Sequence, residues 1–148
     1  MYACENGKLD MVKYFIKYQK EEIDLINNEG KTALMLACEN GHFDIVKCLV
    51  NHHAQIDNHN IYIYYTPIAY AFINSHESIV DYLVKHDVHD DDHGNTPLMK
   101  ACESGHFMKV KYLIKNGANV NDQNHYGDTP LIYACRQGNI DIVQYLIE

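Results

Sequence analysis

The segment His86-Asp-Val-His-Asp-Asp-Asp-His93 gathers three imidazoles and four carboxylates into eight residues. Imidazole nitrogen and carboxylate oxygen are the donors that zinc and other divalent cations take, so a metal-dependent reaction would sit here. The spacing matches no recognised ligand pattern, however, and no general base stands apart from the cluster. A solvated acidic turn accounts for the same residues, and no metal ligand is assigned. Of the ten histidines, His42, His76 and His106 recur at one turn position, while the other seven, from His52 to His125, fall in the connecting segments.

The five cysteines raise a second possibility, a disulfide or a redox pair. Four of them (Cys4, Cys38, Cys102, Cys135) occupy the same position in recurring copies of one sequence pattern. Packed neighbouring helices lie about 8–10 Å apart, beyond the roughly 7 Å between Cα atoms that a disulfide bridges. These four are therefore expected to be buried, reduced, alanine-like residues. Cys48 stands where other copies have Tyr14, Tyr82, Tyr112 and Tyr145, and is expected to be partly exposed. There is no Gly-x-Ser-x-Gly elbow, P-loop or His-Glu-x-x-His helix, so no catalytic residue and no cofactor is assigned.

The chain has 148 residues and a formal charge of −8, and Arg136 is its one arginine. That balance argues against a nucleic-acid partner, whose phosphates require clustered Lys and Arg. No apolar run approaches the roughly 18 residues of a membrane span, and Lys8 and Asp10 interrupt the first apolar stretch, so no signal peptide is read. A soluble, cytoplasmic protein is the expectation.

The elements that position these residues follow from internal repetition. Thr32-Ala-Leu-Met-Leu-Ala-Cys-Glu-Asn-Gly-His recurs from Thr96 and from Thr129, more weakly from Thr66, and Met1-Tyr-Ala-Cys-Glu-Asn-Gly-Lys opens inside a further copy. Each Thr is an N-cap, and Pro67, Pro97 and Pro130 follow at the position where a missing N–H costs nothing. Leu34, Ala37 and Cys38 stand at i, i+3 and i+4, as do their equivalents, which gives a short helix with a small-residue face. Gly41, Gly105 and Gly138 stop it, and Phe43, Val46, Leu49, Val50 or Phe107, Val110, Leu113, Ile114 mark a second amphipathic helix. The predicted pairs are 1–5 and 9–18, 33–40 and 43–52, 67–74 and 77–86, 97–104 and 107–116, 130–137 and 140–147. Ser75 replaces the stop glycine in the weakest copy, at a cost of about 1 kcal/mol if the left-handed geometry is kept.

These residues resemble the ankyrin repeat, with its Thr-Pro-Leu start, small-residue pair, Gly-His turn, Val-x-x-Leu-Leu helix and Gly-Ala-x-x-Asn end, and the resemblance runs over essentially the whole chain. It implies an all-α repeat solenoid of stacked helix-turn-helix units with β-hairpin fingers. The units would be about 1–31, 32–65, 66–95, 96–128 and 129–148 within one domain, the first and last incomplete. Where the family usually carries His after Thr-Pro-Leu, this chain has Met35, Ala69, Met99 and Ile132, so apolar packing is expected in place of a hydrogen bond between neighbours.

The same resemblance implies a non-catalytic scaffold, a monomer that binds a protein partner through finger tips and first-helix surfaces. Carried onto this chain, the positions singled out are Tyr62, Ile63, Tyr65, Asp92, His93, Asn95, His125, Tyr126 and Asp128 on the fingers, with Ile73 and Arg136 on the helices. Aromatic residues and arginine lead this set because interfaces favour them. The run Ile61-Tyr-Ile-Tyr-Tyr65 has two readings, a binding site or a filler for the gap left by the following inter-unit segment, which is three residues short. A passive spacer within a longer array is the alternative function, and metal chemistry at His86–His93 a remoter one. Met1 aligns with Met35 and Met99 in mid-helix, and Glu148 falls just after a second helix. A piece of a longer array is therefore expected, with apolar end faces able to stack on another copy.

Overall fold

The structure, a computed structural model, describes residues 1–18, 23–58, 60, 65–86 and 93–148. Among the described residues ten helices alternate as short pairs: α1 (Tyr2–Glu5) with α2 (Leu9–Tyr18), α3 (Ala33–Glu39) with α4 (Phe43–Asn51), α5 (Pro67–Ile73) with α6 (Glu77–His86), α7 (Pro97–Glu103) with α8 (Phe107–Lys115), and α9 (Pro130–Gln137) with α10 (Ile140–Ile147). Every bound lies within one residue of the expected one. They gather into two compact units, Met1–Asp87 and Val88–Glu148.

The start of each first helix is set by its threonine. The hydroxyls of Thr32, Thr66, Thr96 and Thr129 accept from the backbone N–H of Met35, Ala69, Met99 and Ile132 at 3.2–3.4 Å. At two starts the cap is reciprocal, because the Sδ atoms of Met35 and Met99 accept from the N–H of Thr32 and Thr96 at 3.4 Å. Both methionines are fully buried. Their thioethers thus satisfy an orphan donor while packing as apolar side chains.

Within Met1–Asp87, α1, α3 and α5 pack one on the next and α2, α4 and α6 form a second row, whereas in Val88–Glu148 α7 packs on α9 and α8 on α10. Ala37 and Ala71 are fully buried and let the first helices approach closely. In the second unit Leu98, Ala101, Cys102, Val110, Ala134 and Ile142 form the core.

A repeated joint explains the Gly-His turn. His42 Nε2 pairs with Glu5 O at 2.9 Å and His76 Nε2 with Glu39 O at 3.1 Å, each reaching back to the preceding pair. Their rings lie 2.9 and 2.6 Å from where a Cβ on Gly7 or Gly41 would stand, and both glycines have positive φ. Any side chain there would displace the ring. Asn139 Nδ2 does the same work with Cys102 O at 3.2 Å.

Three expectations need correction. Among the described residues the fingers form no strand, only a single antiparallel bridge between Ile26 and Thr32. Side-chain hydrogen bonds hold these turns instead, as where Asn27 Oδ1 accepts from the N–H of Glu29 and Lys31. Cys135 is exposed and Cys48 is buried, the reverse of what was expected, while Cys4, Cys38 and Cys102 are buried as expected. At Cys4, Cys38 and Cys102 the next first helix, α3, α5 or α9, packs on the helix that carries the cysteine. No described helix follows α9–α10, so the Cys135 thiol faces outward. Burial pushes the Cys38 thiol well above its ordinary range and the Cys102 thiol up to about 12.

Among the described residues Ser75 (φ 62°) and His53 (φ 67°) are the two non-glycine residues with positive φ, and both take places where other copies have glycine. Replacing either with glycine is expected to raise the urea midpoint by the equivalent of about 1 kcal/mol, because the left-handed strain disappears. An unchanged or lowered midpoint for both would show that the strain is relieved elsewhere.

Candidate functional site

Two positions of the repeat face each other on its surface: the residue before the capping threonine and the residue seven after it. In the first unit these are Lys31 and Glu39. Lys31 Nζ donates to both oxygens of Glu39 at 2.9 and 2.8 Å and lies 3.1 Å from Glu29 Oε2. Burial pulls the Lys31 pKa down, but the hydrogen bonds to Glu39 and Glu29 outweigh it and hold the ammonium above its ordinary value. The charge survives at any physiological pH.

The last copy reverses the signs. Arg136 donates through both terminal nitrogens to Asp128, at 2.6 and 3.0 Å, and its guanidinium lies 5.8 Å from the Tyr133 ring centroid. Planar two-point pairing of this kind orients the arginine as well as attracting it. Arg136 and Asp128, both singled out in the sequence, therefore form one bidentate pair.

Tyr65 and Ile73 fill the same two positions in the third copy. Neither can form an ion pair, and both remain exposed, Tyr65 at 37% and Ile73 at 47%. The Tyr65 ring stands edge-on to Tyr70 at 5.8 Å, and its carbonyl accepts from Asn60 N–H at 2.8 Å. Asn60, itself buried, donates from Nδ2 to Glu29 O at 2.7 Å and to the Tyr70 hydroxyl at 3.1 Å. Tyr65 is thus anchored by its backbone while its side chain stays at the surface.

The finger of the second unit is built on Asn124. Its Nδ2 donates to Asn95 Oδ1 at 2.7 Å and to the Tyr133 hydroxyl at 3.1 Å, while Oδ1 accepts from the N–H of Tyr126 and Asp128 at 3.0 and 2.9 Å. Asn95, chosen as a contact residue, is therefore part of the support, since its Oδ1 also accepts from the Tyr133 hydroxyl at 2.9 Å. His125 N–H donates to His93 O at 3.0 Å, and the His93 and Tyr126 rings are 5.5 Å apart. His93, His125 and Tyr126 are brought together and are all exposed.

Tyr62, Ile63 and Asp92 lie outside the described residues, as does the His86–His93 cluster between its two ends. Among the described residues no group of His, Cys, Asp or Glu could hold a metal ion. A cavity of about 250 Å³ lies against α1 and α2, lined by Met1, Cys4, Phe15, Ile16, Ile23 and Leu25 among others. Its side chains are apolar apart from the Cys4 thiol, whose pKa burial raises. Asn60 and Asn124 escaped the sequence reading, although each precedes its capping threonine by five or six residues. The ion pairs had a signal too, opposite charges eight residues apart across that threonine.

A family model described as ankyrin repeats (3 copies) matches residues 1–92, 56–124 and 86–148, and so the whole chain. The chain belongs to the ankyrin-repeat family. No curated protein matches it. Ankyrin repeats are generally protein–protein interaction modules and typically non-catalytic, which fits a surface of ion pairs, exposed aromatics and supporting amides. None of the described helices is long and apolar enough to cross a membrane.

Proposed function

We propose that this ankyrin-repeat chain is a non-catalytic scaffold that binds a protein partner along the edge where finger bases meet the ends of the first helices. The observation that carries the reading is the exchange of an ion pair for Tyr65 and Ile73. Positions that are closed by Lys31–Glu39 and by Asp128–Arg136 are left apolar and exposed here, and exposed aromatic and aliphatic side chains set beside charged rims gain by burial against a partner. Tyr126, His93 and Arg136 form a second contact region in Val88–Glu148 on the same reasoning. The partner is a protein rather than a nucleic acid, given the −8 charge. Five free thiols suit a reducing compartment, which supports reading the protein as cytoplasmic.

The test is affinity capture with the intact chain and with the double variant Tyr65→Ser, Ile73→Asp. The variant is expected to lose the captured partner by about a hundredfold or more in affinity, at a melting temperature within a few degrees of the parent, as central apolar contacts do. Retention of the same partner with unchanged affinity would move the binding surface elsewhere. A chain that captures nothing above control, alone or as the variant, would favour a passive spacer.

A further inference from the structure

We infer that the edge formed by Tyr65 and Ile73 takes a segment of a partner protein that carries an apolar side chain and, about three residues from it, an arginine or lysine. The inference rests on the binding edge proposed above and names the chemistry that edge recognises.

The apolar half of the site is local. Tyr65 stands just before the capping Thr66 and Ile73 seven residues after it, the two positions that the Lys31–Glu39 ion pair closes in the preceding copy. Both side chains remain at the surface. Tyr65 is nevertheless fixed, because its carbonyl accepts from Asn60 N–H at 2.8 Å and its ring stands edge-on to Tyr70. An anchored aromatic beside an aliphatic side chain gives up little conformational freedom when a partner covers it.

The charged half lies one copy back, and its charges do not balance. Lys31 Nζ meets two carboxylates, Glu39 Oε2 at 2.8 Å and Glu29 Oε2 at 3.1 Å. One positive charge against two negative ones leaves a negative charge in excess. That excess faces solvent, since the Lys31 side chain is 15% exposed and that of Glu29 67%. Two links tie it to the apolar half. Asn60, which holds the Tyr65 carbonyl, also donates from Nδ2 to Glu29 O at 2.7 Å, and Lys31 Nζ lies 5.3 Å from the centroid of the Tyr70 ring on which Tyr65 packs. The nearby charges of the described residues do not cancel the excess: Lys8 is flanked by Glu5 and Asp10, and Glu77 opens α6 with a further carboxylate.

Charge complementarity selects the occupant. A basic side chain gains from the excess, whereas an acidic one meets like charge and an apolar one strips water from Glu29 without replacing it. Arginine suits better than lysine, because its planar guanidinium pairs with a carboxylate at two points. Helices of neighbouring pairs pack about 8–10 Å apart, which an extended chain rising about 3.3 Å per residue spans in about three residues. The apolar anchor and the basic residue are therefore close in the partner's sequence.

Short random peptides displayed on phage and selected on the intact chain are the probe. The expected consensus has an aliphatic or aromatic residue with arginine or lysine about three positions away, and a synthetic peptide of that consensus should bind less tightly in high salt. Glu29→Lys should weaken that peptide about tenfold or more, and Glu29→Gln, which removes the charge alone, by less. Selection repeated on Glu29→Lys should lose the basic residue and keep the apolar one. Melting curves check that both variants fold. A consensus without a basic residue, or an affinity that neither Glu29→Lys nor salt changes, overturns the inferred chemistry while the edge itself stands if Tyr65→Ser with Ile73→Asp abolishes binding. A consensus peptide held as tightly by that double variant overturns the binding edge as well, and a selection that enriches nothing overturns the inferred occupant.

Discussion

At pH 8 and high dilution, a thiol reagent should modify one cysteine of the native chain, Cys135, at least about a thousandfold faster than the other four. Cys135 is exposed, while Cys4, Cys38, Cys48 and Cys102 are buried. Two effects act together on the buried set. The reagent must wait for a local opening, and an opening free energy of about 4 kcal/mol already slows reaction roughly a thousandfold. Burial also raises the thiol pKa of Cys38 and Cys102, the latter to about 12, so the thiolate that would react is scarce in the closed state. In denaturant all five should label at similar rates. Mass spectrometry of the labelled peptides decides it, and fast native labelling of Cys48 would show that α4 does not sit as described.

Replacing Asn124 with alanine should destabilise the fold by about 2–3 kcal/mol, the largest effect expected of any finger residue, because several hydrogen bonds end on one amide. The side chain is nearly fully buried. Its loss takes one donor from Asn95 Oδ1, which still accepts from the Tyr133 hydroxyl, and deprives the backbone N–H groups of Tyr126 and Asp128 of this acceptor. Asn124→Asp keeps the acceptor for Tyr126 and Asp128, and rotation of the Asn95 amide can meet the new carboxylate, so it should cost only about 1 kcal/mol. Urea unfolding measures both. A loss below about 0.5 kcal/mol for the alanine variant would mean that water replaces the whole network.

The helices were legible because each carries local, redundant signals. A threonine cap, a proline at the next residue, small residues at helical spacing and a stop glycine all agree on the same boundaries, so the bounds came within a residue. Joints between pairs were less so. That His42 and His76 belong to the fold was clear from their recurrence, but not that each ring seats on the glycine of the pair before it, a contact between residues 35 apart. The exposure of Cys135 was not legible, because repeat position does not by itself fix burial. Burial depends on whether another pair follows, and α9–α10 has none among the described helices. The candidate site was legible as a set of positions and illegible as a set of partners. Lys31 with Glu39 and Asp128 with Arg136 pair across a cap, and only once those contacts are seen does the replacement of both charges by Tyr65 and Ile73 stand out.

Hydrogen exchange of the chain with and without its captured partner tests the central claim most directly, since it reads contact along the backbone without a mutation. The account predicts slowed exchange in peptides spanning Tyr65 to Asn74 and Asn124 to Gln137, with the outer helices α4 and α6 unchanged. Slowed exchange confined to α4 and α6, with the finger bases and first-helix ends unaffected, would contradict it.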